Sequence, residues 1–315
     1  MTVPCPVCDS EQYNELFHDY NRRDALAYDG TYVECKTCSL VYLHNSVSWE
    51  EIARLYSTLD PEVTANPGNT DIDESKQRID IAIPEWRKLL RQFRFRPHSW
   101  PLESVLHRSK RILDLGCGNG SKLAEFAGRG YEIWGVDISK DAIDVCKNVL
   151  PEGNFLVSEL GNINLISDYF DYIRIDNALE HVPEPRKVIK ECYRLLKKSG
   201  QLLIYVPHGK SMSMRIMKGD SISSWIPFHL QLFTRGSLER LLHEANFKNI
   251  RIYNFSPNNW LALSIMQRRN RNKTKQLSPS KWLVLTTYPL SWLAGKFGMG
   301  EELIGTGRKN NTQYA

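Results

Sequence analysis

From residue 109 onward, short apolar runs alternate with segments of helical pattern, and this alternation restricts the fold more than any other feature. Strands that alternate with helices of this length form a parallel sheet covered on both faces. Ligands of such sheets bind outside the carboxyl ends of the strands. The predicted strands are 111–116, 132–139, 154–160, 170–179 and 201–207, and the predicted helices are 121–130, 140–149 and 184–200.

The first predicted strand runs into a glycine-rich turn, "DLGCGNG" (114–120). Its glycines follow G-x-G-x-G, whereas the dinucleotide fingerprint needs a glycine where this chain has Ser121, and the Lys of a triphosphate loop is absent. The carboxylate of Asp114 would repel a pyrophosphate and suits a ligand that carries ammonium and sulfonium charges. Asp137 ends the second strand, where it can accept both ribose hydroxyls. The alternative is a tight turn that holds no ligand.

Four of the seven cysteines form two C-x2-C pairs near the N-terminus, Cys5 with Cys8 and Cys35 with Cys38. Two such pairs can complete a tetrahedral S4 site for Zn2+, and the 26 residues between them require an enlarged hairpin. The four cysteines fill all four coordination positions of the metal, so the predicted zinc is structural. The alternatives are four unrelated buried cysteines and a redox-active pair. The remaining cysteines are predicted core residues: Cys117, Cys146 and Cys192.

Charge is distributed unevenly over the 315 residues, whose net charge is only +5. Residues 1–56 carry nine acids against four bases, whereas 266–315 carry nine bases against two acids. The N-terminal region therefore repels phosphate backbones, and the C-terminal region would attract an anionic surface.

The first residues lack both the charged start and the apolar run of a secretory leader, so a cytoplasmic protein is expected. No apolar run reaches the ~20 residues that a membrane span requires. The longest candidate, 282–294, contains Pro289.

The segments "ILDLGCGNG", "GVDIS", "FDYIRIDNALEHV" and "LLKKSGQLLIYVP" resemble the successive motifs of class I S-adenosylmethionine (SAM)-dependent methyltransferases over roughly 109–255. The resemblance implies an α/β fold with a Rossmann-like seven-stranded methyltransferase sheet. Together with the other features, the expected fold has an N-terminal zinc ribbon and a helical insertion before the last strand. One small departure, Lys198-Ser-Gly-Gln201 in place of "KPGG", affects turn geometry.

The resemblance also implies which residues contact SAM. It puts the backbone of 116–118 against the methionine part and Asp114 on its amino group. Asp137 then takes the ribose hydroxyls, Ile138 lies against adenine, and Glu159 receives the adenine amino group. The predicted cofactor-binding residues are Asp114, Gly116, Cys117, Gly118, Asp137, Ile138, Glu159 and Asn177.

A narrower resemblance rests on the cysteine pairs, "LEHVPEP" and "WIPFHLQLFTRGSLERLLHEANF". These features are similar to bacterial methyltransferases with an N-terminal zinc-binding region, many of which belong to sugar, surface-polysaccharide or secondary-metabolite pathways. The acceptor that this resemblance implies is a sugar or a related small molecule, either free or lipid-linked.

Methyl transfer to a hydroxyl needs in-line alignment and removal of the hydroxyl proton. The candidate groups follow the fourth and fifth strands: Glu180 and His181, then His208, and further on His229. We predict His229 or His181 as the base and include Glu180 in the catalytic set. The alternatives are a packed lid residue for His229, a residue supporting the cofactor loop for His181, and a ligand of substrate hydroxyls for Glu180.

The sixth and seventh strands are predicted at 249–255 and 301–309, so about 45 residues separate two strands that a short hairpin normally joins. This insertion combines a basic run with tryptophans and apolar residues, the composition of a segment in a membrane interface. Peripheral contact with the inner membrane face through 260–297 is one interpretation. A helical pair packed on the domain is the other.

The predicted organisation is a zinc-ribbon-like module (1–56), a helical linker or cap (57–108) and a methyltransferase domain (109–315) with the insertion at 256–300. Within the linker, the spacing of apolar residues predicts a helix at 79–95, and the polar, proline-containing segment 60–74 is predicted to be a loop.

Two other functions stay open. Zinc modules also occur on methyltransferases of ribosomal RNA, although the acidic N-terminal region and the absence of an "NPPY"-type motif after the fourth strand count against RNA. The second alternative is a non-catalytic SAM-fold binding protein.

Overall fold

The computed structural model describes residues 3–20, 28–45, 48–51, 54, 110–257, 259–269 and 279–310. Its strands in chain order are β1 (Tyr13–Tyr20), β2 (Asp29–Cys35), β3 (Val41–Leu43), β4 (Arg111–Leu115), β5 (Glu132–Asp137), β6 (Asn154–Val157), β7 (Phe170–Asp176), β8 (Leu196–Pro207), β9 (Gln231–Leu232), β10 (Lys248–Phe255) and β11 (Glu302–Arg308). Its helices are α1 (Ala124–Ala127), α2 (Lys140–Val149), α3 (Pro185–Leu195), α4 (Met212–Met217), α5 (Arg235–Glu244), α6 (Trp260–Arg269) and α7 (Lys281–Lys296). Short 3-10 turns occupy Leu179–His181 and Lys218–Asp220.

Seven strands form the central sheet in the order β10-β11-β8-β7-β4-β5-β6. The pairs β4–β5, β4–β7, β5–β6 and β7–β8 are parallel, while β11 runs antiparallel between β8 and β10. In chain order, β5 and β6 are added on one side of β4, and β7 and β8 are then added on its other side. The switch point, where a ligand crevice is expected, therefore lies at the carboxyl ends of β4 and β7. The predicted seven-stranded fold class is confirmed.

Helices cover both faces of this sheet because the side chains of each strand alternate in direction. Leu113 and Leu115 of β4 join the core cluster that contains Cys192 of α3, whereas Ile112 joins the cluster that contains Cys146 of α2. The prediction that the three cysteines outside the N-terminal pairs are core residues is confirmed, since all three are buried.

The predicted helix at 184–200 is wrong in its last five residues. Helix α3 ends at Leu195, and Leu196–Gly200 already belong to β8. Leu196 pairs with Phe170 of β7, and the backbone of Gly200 accepts a hydrogen bond from that of Lys309. Pairing with distant segments therefore overrides the local helical pattern of "LLKKSG".

The predicted helix at 121–130 is also shorter than expected. Only Ala124–Ala127 are α-helical, and the flanking residues form turns that end at Gly130, whose φ is +81°. The other helical prediction of this region, 140–149, is confirmed in full, with the Ser139 hydroxyl accepting from the Ala142 amide at its start.

The N-terminal strands form a second, four-stranded sheet in the order β1-β2-β3-β9. β1 and β2 are an antiparallel hairpin, as the spacing of the cysteine pairs predicts. The last strand, β9, comes from far along the chain and pairs through Val41 with Leu232 and Tyr42 with Gln231. The N-terminal region is therefore joined to the segment that carries His229.

Strands β10 and β11 confirm the sixth and seventh predicted strands, and α6 and α7 form the predicted helical insertion between them. Leu261 of α6 and Ala294 of α7 pack together with Met212. The predicted linker at 57–108, including the helix at 79–95 and the loop at 60–74, lies outside the described residues. The proposed domain boundaries stay predictions.

Candidate functional site

The glycine-rich turn after β4 is held in a conformation that favours glycine. Gly116, Gly118 and Gly120 have φ values of +75°, +51° and +75°, in the left-handed region that L side chains rarely adopt. The amides of Gly116 and Cys117 both donate to the Val136 carbonyl, at 2.8 and 3.1 Å. A Cβ on Gly116 would lie 2.4 Å from the Cβ of Ala178, whereas a Cβ on Gly118 would meet no atom within 4 Å. The turn is therefore closed at Gly116 by Ala178, two residues after β7, and open at Gly118.

Asp137 fixes this turn from the end of β5. Its Oδ2 accepts from the Gly118 amide and its Oδ1 from the Ser139 amide, both at 2.9 Å. Burial raises the pKa of this carboxyl. Because a carboxylate accepts about four hydrogen bonds, both oxygens keep lone pairs with which ribose hydroxyls can bond.

Asp114 lies buried beside Arg174 of β7, with 3.8 Å between Asp114 Oδ2 and Arg174 Nη1. Burial raises the pKa of Asp114 to about 7, although the guanidinium opposes the shift. Its Oδ1 is buried and makes no hydrogen bond to any described residue. A buried acceptor with no donor costs free energy, so a ligand that brings an ammonium group fits this position.

Asn177 follows β7 in a left-handed conformation, with φ +50°. Its Nδ2 donates to Asp176 Oδ1 at 2.9 Å and to Glu302 Oε1 at 3.3 Å. Arg174 also pairs with Asp176. Asn adopts this conformation more readily than most residues, and the hydrogen bonds fix its side chain at the carboxyl end of β7.

The other predicted cofactor residues lie around the same edge of the sheet. Cys117 is buried, with its Sγ 4.0 Å from that of Cys146. Ile138 and Glu159 are half-buried, and Glu159 stands two residues beyond the end of β6. The unpartnered oxygen of Asp114 and the open side of Gly118 fit SAM. The individual contacts of the predicted set stay predictions.

Sequence reasoning missed a buried acidic group beside this site. Glu302, at the start of β11, is buried, and burial raises its pKa to about 8, with Asp176 adding to the shift. Its Oε2 has no hydrogen-bond partner among the described residues. The signal in the sequence was the presence of charged residues inside apolar strands, namely Arg174 and Asp176 in "YIRID" and Glu302 in "ELIG".

The structure brings the three predicted catalytic residues together. Glu180 and His181 lie in the 3-10 turn after β7, and the rings of His181 and His229 have centroids 4.8 Å apart. His181 Nδ1 donates to the Phe228 carbonyl at 2.9 Å, and His229 Nδ1 to the Ser223 carbonyl at 2.7 Å. These carbonyls fix both rings with the proton on Nδ1. The third candidate histidine, His208, lies apart and donates to the Gly300 carbonyl.

Glu180 is fully buried, and neither carboxyl oxygen has a hydrogen-bond partner among the described residues. Burial raises its pKa well above the usual range. His181 Nε2 lies 3.8 Å from Glu180 Oε1. The ligand atoms of Glu180, His181 and His229 lie within 4.8 Å of one another. The group can exchange protons with a substrate, and two imidazoles with a carboxylate are also a donor set for a divalent cation.

The N-terminal sheet positions His229. Tyr32 of β2 donates its hydroxyl proton to the His229 carbonyl at 2.8 Å. Two residues on, Gln231 of β9 donates to the Leu179 carbonyl at 3.1 Å and also to the Val182 carbonyl. The backbone around His229 is thus held between the N-terminal sheet and the 3-10 turn.

The four N-terminal cysteines converge as their spacing predicts. Cys5 Sγ lies 3.5 Å from Cys38 Sγ, Cys8 Sγ lies 3.5 Å from Cys35 Sγ, and all four sulfurs lie within 4.8 Å of one another. Four thiolates around Zn2+ at ~2.3 Å are about 3.8 Å apart, and a disulfide would need ~2.05 Å. The donor set and spacing fit zinc, which stays a prediction.

A methyltransferase-domain family model matches residues 82–252, more than half of the chain. The ubiquinone biosynthesis O-methyltransferase of Idiomarina loihiensis is 27% identical over 154 residues, which are 45% of this chain and 63% of that protein. A protein of the same name from Coxiella burnetii is 34% identical over 104 residues, 32% of this chain and 44% of that protein. The demethylmenaquinone methyltransferase of Thermotoga maritima is 28% identical over 130 residues, 40% of this chain and 56% of that protein. The chain thus spans about half the length of these curated relatives.

Among solved structures, the [4+2]-cyclase SpnF has a TM-score of 0.54 and 16% identity, covering 84% of this chain and 97% of the cyclase. At this identity the likeness concerns the fold alone. Among the described residues, no helix has the length and apolar character that crossing a bilayer demands.

Proposed function

We propose, because this chain belongs to the class I methyltransferase family, that it transfers the methyl group of SAM to a hydroxyl group of a small molecule. The observation that carries the proposal is the pair of oriented imidazoles beside the cofactor turn. Ala178 lies against Gly116 of that turn, and His181 follows three residues later, within 4.8 Å of His229 between ring centroids.

SAM, when bound, supplies an activated methyl group on its sulfonium. The chain itself has to hold the acceptor oxygen in line with that methyl group, which is chiefly an orientation effect. With Nδ1 of each imidazole donating to a backbone carbonyl, Nε2 is the basic atom that takes the hydroxyl proton. Neutral Glu180, buried next to His181, is suited to hold a substrate hydroxyl.

The acceptor class is proposed from two kinds of support. Relatives named as O-methyltransferases of ubiquinone biosynthesis favour a small molecule with a hydroxyl group. The motifs around Cys5–Cys38, Glu180 and His229 resemble enzymes of sugar and surface-polysaccharide pathways. We therefore propose a sugar or related small molecule, in free or lipid-linked form.

Two other functions need to be tested against this one. An RNA methyltransferase would need a cationic face, and the N-terminal region is acidic. A non-catalytic binding protein would keep the methyltransferase fold without turnover, and the [4+2]-cyclase SpnF also has this fold.

The deciding experiment is incubation with methyl-labelled SAM and cell extract separated into nucleotide sugars, lipid-linked glycans, phenolic small molecules and RNA. Label is expected in a small-molecule or lipid-linked fraction. Label confined to RNA would overturn the proposal, and SAM binding without label in any fraction would favour the non-catalytic function.

The base is tested with His181→Ala and His229→Ala on the acceptor so identified. Loss of a general base is expected to lower kcat by about 10²–10⁴-fold, with the dissociation constant of SAM unchanged. His243→Ala, at an exposed position of α5, serves as the matched control. Wild-type turnover in both site variants would remove the histidines from the mechanism.

A further inference from the structure

Helix α7 is packed with its apolar side outward. The residues that it buries are Thr287, Ser291 and Ala294. Trp282 is 78% exposed, Phe297, which caps the helix, 71% and Leu285 64%. A surface helix normally buries its apolar face and exposes polar residues, so the arrangement is the reverse of the usual one.

The exposed residues form one continuous stripe. At 100° per residue, positions 282, 285, 289, 292, 293 and 297 fall on the same side of a helix. We call this stripe the outer face of α7; its apolar members are Trp282, Leu285, Pro289, Trp292, Leu293 and Phe297, all exposed. An exposed apolar stripe of this extent marks an interaction surface.

The charges around the outer face indicate the chemistry of its partner. Residues 256–300 contain seven Lys and Arg and no Asp or Glu. Lys281 and Lys296 stand at the two ends of α7, with Lys296 Nζ 5.4 Å from the centre of the Trp292 ring. Arg268 and Arg269 are exposed at the end of the adjacent α6. An apolar stripe with interfacial tryptophans and flanking cations is typical of helices that lie on anionic membranes.

We propose that α7 docks this protein on an anionic lipid surface, with its axis in the membrane plane and its outer face in the interfacial region. A helix of 16 residues is ~24 Å long, and no described helix can cross a bilayer, so the helix lies on the membrane. A second copy of this chain would bring the same cations against each other and is the less favoured occupant.

The docked helix is connected to the candidate acceptor site through α6. Ala294 of α7 packs with Leu261 of α6, and Gln267 of α6 donates to the Ser221 carbonyl at 3.2 Å. Two residues further on, the Ser223 carbonyl holds His229. These contacts link the docked helix to the loop that holds His229. That a lipid-linked acceptor reaches the histidines from the membrane side is part of the proposal and rests on the proposed function, whereas lipid binding does not.

The test is co-flotation of the full chain with vesicles of phosphatidylcholine alone or with 30% phosphatidylglycerol. Binding is expected on the anionic vesicles and is expected to weaken as salt is raised from 0.1 to 0.5 M. Trp282→Gln combined with Phe297→Gln should lower the partition coefficient at least tenfold, because two large apolar side chains then stay out of the interface. Lys281→Glu with Lys296→Glu should abolish the preference for anionic vesicles.

Val149→Gln with Ile166→Gln removes two apolar residues that are also well exposed, elsewhere on the surface, and this variant should bind vesicles as the wild type does. Equal loss of binding in this control, or no binding of the wild type to anionic vesicles, overturns the proposal. A concentration-dependent dimer that the Trp282/Phe297 variant cannot form assigns the outer face to a second copy and overturns it too. SAM affinity, measured in parallel, tests the proposed function separately.

Discussion

The proposed cofactor side of the candidate site, with Asp114, Gly116–Gly118 and Asp137, and its proposed acceptor side, with Glu180, His181 and His229, are built in different ways. The cofactor side is local, because the turn at Gly116–Gly118, Asp114 and Asp137 all belong to β4, β5 and the residues that directly follow β4. The acceptor side joins Tyr32 to His229 across 197 positions of the chain. Site residues that are close in sequence form a motif that can be recognised, whereas site residues that meet only in the folded structure do not. The acceptor side should therefore depend on the N-terminal sheet, and the cofactor side should not.

Removal of the predicted zinc is expected to have the largest effect. Structural zinc contributes about 10–16 kcal/mol to folding of small metal-dependent modules, so chelation should disorder the four-stranded sheet and lower turnover more than 100-fold. SAM affinity, measured by calorimetry, should change less than threefold. Equal losses of both would contradict the division into two sides.

Elemental analysis adds a second readout for the same protein. One zinc per chain is expected, bound by Cys5, Cys8, Cys35 and Cys38, and Cys35→Ser should remove it. A second equivalent that is lost in His181→Ala would assign a cation to the Glu180–His181–His229 cluster and contradict the role of the histidines as base.

Substitutions in the glycine-rich turn after β4 are expected to impair SAM binding. Gly116→Ala combines a left-handed φ with a new Cβ only 2.4 Å from the Cβ of Ala178, so it should lower the free energy of unfolding by about 3 kcal/mol and SAM affinity by about 100-fold. Gly118→Ala is the matched variant, with a positive φ and no neighbour within 4 Å. It should cost about 1 kcal/mol in urea denaturation and still weaken SAM binding, because its methyl group occupies the open side of the turn. Equal destabilisation by both would contradict the steric argument.

The charge on Asp114 should set the pH dependence of SAM binding. Its pKa is raised to about 7, so below pH 7 the carboxyl is protonated and loses the charge that attracts the ammonium group. SAM affinity should fall as the pH drops below 7, by at most about tenfold per pH unit, until the total loss approaches the roughly 30-fold loss expected on removing the charge, and it should level off above pH 7. Asp114→Asn should weaken binding about 30-fold and flatten this profile. A profile that is unchanged in the variant would assign the titration to another group.

Loss of one hydrogen bond is the smallest effect expected. Tyr32→Phe removes the bond to the His229 carbonyl, worth about 1 kcal/mol, and should lower kcat about fivefold with SAM affinity unchanged. Tyr28→Phe, another tyrosine of the N-terminal region, is the control and should leave kcat as it is. Unchanged kcat in Tyr32→Phe would remove the N-terminal sheet from the positioning of His229.

The sequence was sufficient for the parts of the fold that depend on local pattern. Alternating apolar runs predicted β4 to β8 and the helices between them, and the spacing of the cysteine pairs predicted the β1–β2 hairpin. The start of β8 at Leu196 was missed because its pairing with Phe170 outweighs a helical pattern. Similarly, nothing in the two-residue strand β9 indicates that it pairs with β3.

Within the candidate site, the same distinction holds. The turn, Asp114 and Asp137 could be singled out from spacing, and the structure brings them together at one edge of the sheet, although their roles stay predictions. Glu302 and Tyr32 were missed because neither belongs to a motif and each reaches the site only through strand pairing. The convergence of His181 and His229 could be guessed from chemistry but not from distance along the chain.

The pairing of β3 with β9 predicts how a protein that lacks the N-terminal sheet would behave in solution. Removing residues 1–45 would leave the seven-stranded sheet complete, and yet it would expose the backbone amides and carbonyls of Gln231 and Leu232 along an edge that β3 otherwise covers. An uncovered edge strand presents unpaired backbone N–H and C=O groups, which can pair with a strand of another chain. The shortened protein should therefore self-associate, because the N-terminal sheet covers this edge as well as holding the His229 backbone.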